Sequence, residues 1–400
     1  MKTGALGLNR RRFGAAMLGA AAAAALPTGR GGAEMAETRP TTRVFLAGAR
    51  RGVDAPGVAR AVNETVEAMG GLSWLSRGDS VYIKPACNSG NSYPATTSPA
   101  GLAALVRALK DRGAGPVIVA DTAGIQFVKL TPTGLRGSTR RLMAQNGLAR
   151  AAVEAGAELY FPEEEGWGAF VEEEPQGTSW KRPLMMPRRL RQVDHVALMP
   201  RVSRHVLAGS TLGYKSAVGY WRTDTRLEYH RDAATLQEKT AESATVPSLR
   251  DKQRLVLTVA DQLQTTFGPD RGHNLAPEDG LVFASASLLA HDLLALAFLL
   301  HGRTLTPPRL TRAVYRDPYT SQAAVEMGNR VVVYMLGGAR EMARAQRLDN
   351  PPLATVWDDR VLRRACELAG YPPPLELVPV GEAVSLPLRQ RLAEMTTPPA

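Results

Sequence analysis

The sequence predicts an α/β protein: a mostly parallel sheet with helices on both faces, built as one unit or as two subdomains. Three observations lead there. Short apolar runs alternate with helical segments of about 10 to 15 residues, the pattern of strands joined by right-handed crossovers. The 400 residues are 44% apolar and 22% charged, which supplies a sizeable core and excludes a disordered or collagen-like chain. Only two cysteines, Cys87 and Cys366, are present, so neither a disulfide framework nor a cysteine-ligated iron–sulfur cluster organises the fold.

The elements follow in order. Residues 44–47 read as a strand, and residues 58–69 as a helix whose apolar face is Val58, Val62, Val66 and Met69. Residues 81–83 give the next strand. Ser98 as N-cap and Pro99 at the first helical position open a helix over 99–112, which Gly113 stops. Residues 116–120 form a buried strand ending at Asp121, residues 139–155 a helix closed by Gly156, and 158–161 a short strand. The charged stretch 162–192 interrupts the rhythm and reads as a solvated excursion whose acidic and basic halves attract each other. Strands resume at 195–199, 255–260 and 281–284, followed by an apolar helix over 291–300. After Pro307 the pattern weakens, leaving one clear helix at 359–368. The layout is therefore a signal at 1–36, a linker at 37–42, an α/β domain at 43–305 and a C-terminal extension at 306–400.

The first 36 residues read as an address. Arg10-Arg11-Arg12-Phe13 followed by the Ala-rich run 14–26 resembles a twin-arginine export signal, which implies the twin-arginine translocase as a partner and a periplasmic or extracellular destination. The apolar run is too short for a stable membrane span but leaves a retained N-terminal anchor as the alternative to cleavage. The net charge of +11 falls to +7 once Lys2, Arg10, Arg11, Arg12, Arg30 and Glu34 are set aside. With 6% aromatics and no basic stripe interleaved with them, nucleic acid is not an expected partner. Nothing in the sequence fixes an oligomeric state.

In open parallel sheets ligands sit beyond the carboxyl ends of strands, which directs attention to the loops starting at Lys84, Asp121 and Pro200. All six histidines (195, 205, 230, 273, 291 and 301) fall within one stretch of the chain. The densest polar segment is residues 200–219, where Ser210 and Thr211 are expected to cap a helix whose N-terminus favours an anion, with Lys215 about one turn inside. Arg201 and Arg204 are candidate clamps for a small anionic ligand. Residues 121–124 and 268–274 are either ordinary turns or contributors to that site, and Asp292 is expected to favour the N-terminus of its own helix. Cys87 is an inert buried thiol or a thiolate encouraged by Lys84. No nucleophile elbow, Walker loop or zinc-protease segment occurs.

Lys84-Pro85, Val119-Ala120-Asp121, the segment from Pro200 to His205, Thr211-x-x-x-Lys215, Ala260-Asp261, the loop 268–272 and Ala284-Ser285 through His291-Asp292 resemble, in this order, the family catalogued as domain of unknown function 362. Cys87 and Ser216 stand where the family usually carries asparagine. A second segment, His205-x-x-Ala208-Gly209-x-x-x-Gly213-x-Lys215 followed by His230, is similar to the centre of nickel-pincer lactate racemases. That resemblance implies covalent attachment of a nickel-pincer nucleotide at Lys215, nickel ligation by His230 and proton transfer by His205; Lys84 and Asp121, at the strand ends, are further candidate cofactor-binding residues. The upstream catalytic histidine of those racemases has no counterpart, since none precedes His195. The expectation is an exported, cofactor- or metal-dependent enzyme doing redox or isomerase chemistry on a small hydroxy-acid-like anion. The alternatives are a non-catalytic ligand- or metal-binding protein and a maturation or scaffold factor.

Overall fold

The computed structural model describes residues 41–311, 322–350, 353–381 and 384–399. The signal and most of the linker lie outside the described residues. Eight strands form the central sheet: β1 (Thr42–Arg50), β2 (Val81–Pro85), β3 (Val117–Ala120), β4 (Glu158–Tyr160), β5 (His195–Met199), β6 (Gln253–Ala260), β7 (Asp279–Ser285) and β8 (Leu375–Pro379). Their order is β8-β1-β7-β6-β5-β2-β3-β4. Every pairing is parallel except those of β7, which runs antiparallel to both β1 and β6.

The interior strands are apolar on both faces because both are covered. Val81 and Ile83 of β2 face one side, where they pack with helices α1 (Ala55–Ala68) and α2 (Pro99–Asp111); Tyr82 faces the other. Asp54 caps α1 by accepting from Gly57 N at 2.8 Å, and Ser98 caps α2 as the sequence predicts. On the opposite face lie α3 (Thr223–Arg231), α4 (Leu288–Thr304), α5 (Gln322–Ala343), α6 (Arg360–Ala369) and α7 (Leu386–Thr396), together with the strand residues Val44, Leu46, Tyr82 and Phe283. Among the described residues no helix is long and apolar enough to cross a membrane.

Strand order reverses between β2 and β5: from β2 the chain builds outward through β3 and β4, then returns to β5 and builds the other way. A crevice at the carboxyl ends of strands is expected at such a point. A small sheet of Gly209–Thr211, Ser203–His205, Leu263–Gln264 and Asn274–Leu275 rises from the ends of β5 and β6 and walls that crevice.

Four expectations are corrected. The helix over 139–155 is two helices, Thr139–Gln145 and Leu148–Glu154, because Gly147 adopts φ 87° between them. The stretch 162–192 is not wholly solvated: it folds into a hairpin, Phe170–Glu173 against Leu184–Pro187, and buries two of its glutamates. Glu163 accepts from Thr122 Oγ1 and Thr139 N, while Glu173 accepts from Ser248 N and pairs with Arg191 at 3.2 Å. Ser210 and Thr211 do not cap the short helix Gly213–Ser216; Asp292 of α4 does, accepting from Gly213 N at 2.9 Å and Tyr214 N at 2.8 Å. Asp292 therefore serves another element's N-terminus rather than its own, and an anionic ligand is not needed there. Lastly, the weakly patterned segment after 305 supplies β8 beside β1 and three long helices, and residues 39–400 cluster as one unit.

Candidate functional site

At the switch point lies a cavity of about 720 Å³. Its walls include Lys84, Asp121, His205, Lys215, Arg226 and His230. The structure thus brings together five of the seven residues singled out in the sequence. Arg201 and Arg204 are buried behind the wall and do not line the cavity.

Lys84 ends β2 and Asp121 follows β3, so neighbouring parallel strands place them side by side. Their Nζ–Oδ1 distance is 2.7 Å and both side chains are buried. Lys84 Nζ also donates to Pro85 O at 2.8 Å, and Asp121 accepts from the backbone N–H groups of Cys87 and Thr122. Burial pulls both toward their neutral forms, Lys84 down and Asp121 up, against their mutual attraction. Gly219 lies directly over the pair: a Cβ there would collide with Asp121 Oδ1 and come within 2.6 Å of Lys84 Nζ. A methyl group would fill that space, so glycine is required by close approach rather than by φ.

Arg226, on α3, was not anticipated. It donates to Ala123 O at 2.7 Å, Thr122 O at 2.9 Å and Trp221 O at 3.0 Å, tying the loop after β3 to α3. Arg201 does the same for two other loops, donating to Pro94 O at 3.1 Å and Pro269 O at 2.9 Å, with the Asn88 side-chain oxygen at 2.7 Å. Both guanidiniums add positive potential to the cavity while spending donors on backbone carbonyls.

Lys215 differs. It is half-buried against the cavity, its Nζ is 5.6 Å from the Tyr229 ring centroid, and among the described residues no acceptor lies within hydrogen-bond distance of it. Burial, then the charges of Arg226, Arg201 and Lys84, lower its ammonium to about 7. Near neutral pH a large share of this side chain is therefore a free amine, the form that acts as nucleophile.

His205 and His230 complete the site. His205 Nδ1 accepts from Leu207 N at 3.1 Å and Ala208 N at 3.3 Å. His230 Nδ1 lies 2.9 Å from Asn329 Oδ1, and Asn329 Nδ2 donates to the carbonyl of His230 at 2.9 Å. Burial, reinforced by Lys215, holds His205 well below the ordinary 6.5 and His230 at about 3, so both rings are neutral at pH 7. Among the described residues no three or more His, Cys, Asp or Glu side chains converge to hold a metal.

Asn329 sits on α5, far from His230 in sequence, and no motif marks it; only the fold reveals the contact. Cys87, by contrast, is fully buried beside Asn146, and burial pushes its thiol up to about 12, which favours the inert alternative.

The model of the family described as domain of unknown function 362 (DUF362) matches residues 81–297, more than half of the chain. The chain belongs to this family. The matched DUF362 region carries every cavity-lining residue discussed above, whereas Asn329, the buried partner of His230, lies beyond its end. A search of curated proteins finds no significant match. Among solved structures, the DUF362 protein is similar to a structural-genomics protein from Thermotoga maritima (TM-score 0.40, 11% identity, 64% of this chain and 60% of that one). It is also similar to the lactate racemase apoprotein from Thermoanaerobacterium thermosaccharolyticum (TM-score 0.32, 14% identity, 54% of this chain and 50% of that one). The chain thus spans 60% and 50% of the lengths of these two proteins.

Proposed function

We propose that this DUF362 protein is a cofactor- or metal-dependent enzyme performing redox or isomerase chemistry on a small hydroxy-acid-like anion. The observation that carries the proposal is Lys215: a lysine held near neutrality with no acceptor among the described residues, facing a cavity whose other buried cations are already engaged. A lysine so placed gains nothing structurally and is suited to bind or link to a group entering the cavity.

The residues fit a nickel-pincer type of cofactor. Lys215 would be its attachment point and His230 a nickel ligand, while the cavity's 720 Å³ exceeds what a small hydroxy acid alone would fill. The absence of a protein-only metal cluster among the described residues accords with a metal that arrives already chelated. When bound, such a group would accept hydride from the α-carbon while a base takes the hydroxyl proton, and both would then be returned. The chain's own residues do the rest. Lys84, Arg226 and Arg201 set a positive potential that favours an anion, Lys84 and Asp121 form a fixed polar floor, and the loops tied by Arg226 and Arg201 keep the walls in place. Residues 10–26 support export through the twin-arginine route, by which a folded protein carries its cofactor with it.

Intact mass and metal content of the protein purified from its native host test the reading. The expected result is a mass excess on Lys215 with about one equivalent of nickel, both absent from Lys215→Ala. An unmodified lysine and no metal would sink the pincer reading and leave a ligand-binding or scaffold protein as the better account.

A further inference from the structure

The two cavity histidines are wired in opposite senses. Backbone N–H groups can only donate, so His205 Nδ1, which accepts from Leu207 N and Ala208 N, carries no proton. A neutral ring then carries its proton on Nε2. At His230 the logic is reversed. A backbone carbonyl can only accept, so the Asn329 group facing His230 O is the amide nitrogen and the group facing Nδ1 is the oxygen. His230 Nδ1 therefore bears the proton and Nε2 bears the lone pair. Asn329 is fully buried, and His205 and His230 are 9% and 7% exposed, so none of these assignments competes with bulk water. Neither Nε2 has a protein partner among the described residues, and both rings line the cavity.

We propose that His205 and His230 form a complementary pair, His205 presenting an Nε2–H donor and His230 an Nε2 lone pair, with Asn329 as the positioning residue that sets the latter. This rests on the functional reading above and sharpens it. In the ligand-free protein His205 Nε2 is thus a donor and not a metal ligand, and taking a proton there would first require it to give up both backbone hydrogen bonds. It holds an acceptor oxygen of the anion, as a neutral imidazole polarises a carbonyl. His230 offers the lone pair that a metal requires, and its Nδ1–H···Oδ1 bond to Asn329 is the kind of outer contact that orients a ligating imidazole. The residue responsible lies outside the segment that the DUF362 model matches, so the C-terminal helix α5 is part of the site's chemistry and not only of its wall.

The test is long-range ¹H–¹⁵N correlation NMR of the ligand-free full chain, labelled on histidine, at pH 7, with His205→Gln and His230→Gln assigning the signals. The expected result is a neutral Nε2–H pattern for His205 and a neutral Nδ1–H pattern for His230. Asn329→Leu should lower the Nδ1–H to Nε2–H ratio at His230 about tenfold, the bias that one net hydrogen bond supplies, and leave His205 unchanged. An Nε2–H or doubly protonated His230 in the wild type would overturn the assignment, as would an Asn329→Leu spectrum identical to wild type. Should that variant fail to fold, the wild-type patterns alone still decide. The tautomers are read without ligand, so failure to find a hydroxy-acid substrate would count against the functional reading and leave this assignment standing.

Discussion

Replacing Lys215 by methionine should stabilise the protein, by an amount that depends on pH. Among the described residues nothing accepts a hydrogen bond from Lys215 Nζ, and its ammonium is lowered from the ordinary 10.5 to about 7 by burial and by Arg226, Arg201 and Lys84. A tenfold change in a protonation equilibrium is worth about 1.4 kcal/mol, so keeping the charged form in the fold costs on the order of 5 kcal/mol below pH 7. Because Lys215 is only half-buried, cavity water reduces that absolute figure, and the change with pH is the cleaner quantity. Its sign comes from counting protons. Between about 7 and 10.5 the unfolded chain binds a proton at this lysine that the folded chain does not, so wild-type stability rises with pH across that window. Methionine has no such proton. The advantage of Lys215→Met over wild type should be largest at pH 6 and shrink by about 2–3 kcal/mol by pH 9. His205 and His230, held neutral in the fold, add a slope of their own near pH 6 to 7 because the unfolded histidines still bind protons there, but both proteins share it and it cancels in the difference. Urea unfolding of both proteins at the two pH values, extrapolated linearly to water, measures the difference. A difference that does not change with pH would refute the reasoning.

Two further outcomes follow from buried groups nearby. Asp121→Asn strands the Lys84 ammonium with Pro85 O as its remaining partner and should cost about 3–5 kcal/mol, whereas adding Lys84→Met should recover at least about 1 kcal/mol of that loss; an additive cycle by denaturation would show that the pair is not coupled. Cys87, fully buried with its thiol pushed up to about 12, should resist iodoacetamide at pH 8 in the native protein and react only after unfolding, leaving Cys366 as the site of any slow native labelling, and peptide mapping that found Cys87 modified under native conditions would contradict this.

What the sequence disclosed and what it hid divide along physical lines. Strands β2, β3 and β5 were legible because continuous apolar runs bounded by turn residues have few other uses, and the switch-point rule then pointed to Lys84, Asp121 and the segment after Pro200 without any structure. Lys215 was legible because its motif is local. The helix break at Gly147 was not, since a glycine inside an apolar helical pattern is tolerated as often as it caps. Glu163 and Glu173 were misplaced because charge runs are usually solvated; their burial depends on Thr139 and Ser248, which the sequence does not place beside them. Arg226 and Asn329 were invisible for the same reason, as both act through backbone carbonyls or a ring nitrogen that only the tertiary fold brings near. Strand β8 was hidden by its edge position, where pairing with β1 alone leaves its residues partly exposed and its pattern weak.

That division also separates structural cations from the functional one. Lys84, Arg201, Arg226 and Lys215 gather around the cavity on its buried side, with the exposed Arg271 also lining it, and charge alone does not distinguish the four inner cations. Lys84 is paired with Asp121, while Arg201 and Arg226 each bridge backbone carbonyls of separate loops, and removing any of these leaves buried acceptors unsatisfied. Their presence is explained by the fold they hold. Lys215 is explained by nothing among the described residues: Arg226, Arg201 and Lys84 lower it, no carboxylate there offsets them, and its ammonium stands 5.6 Å from the Tyr229 ring centroid. A fold that carries such a destabilising group where its strand ends converge keeps it for what enters the cavity, in keeping with the trade of stability for activity at functional sites. The Met variant that gains stability should therefore be the one that loses cofactor, and a Lys215→Met protein that kept both would separate the lysine from the site's chemistry.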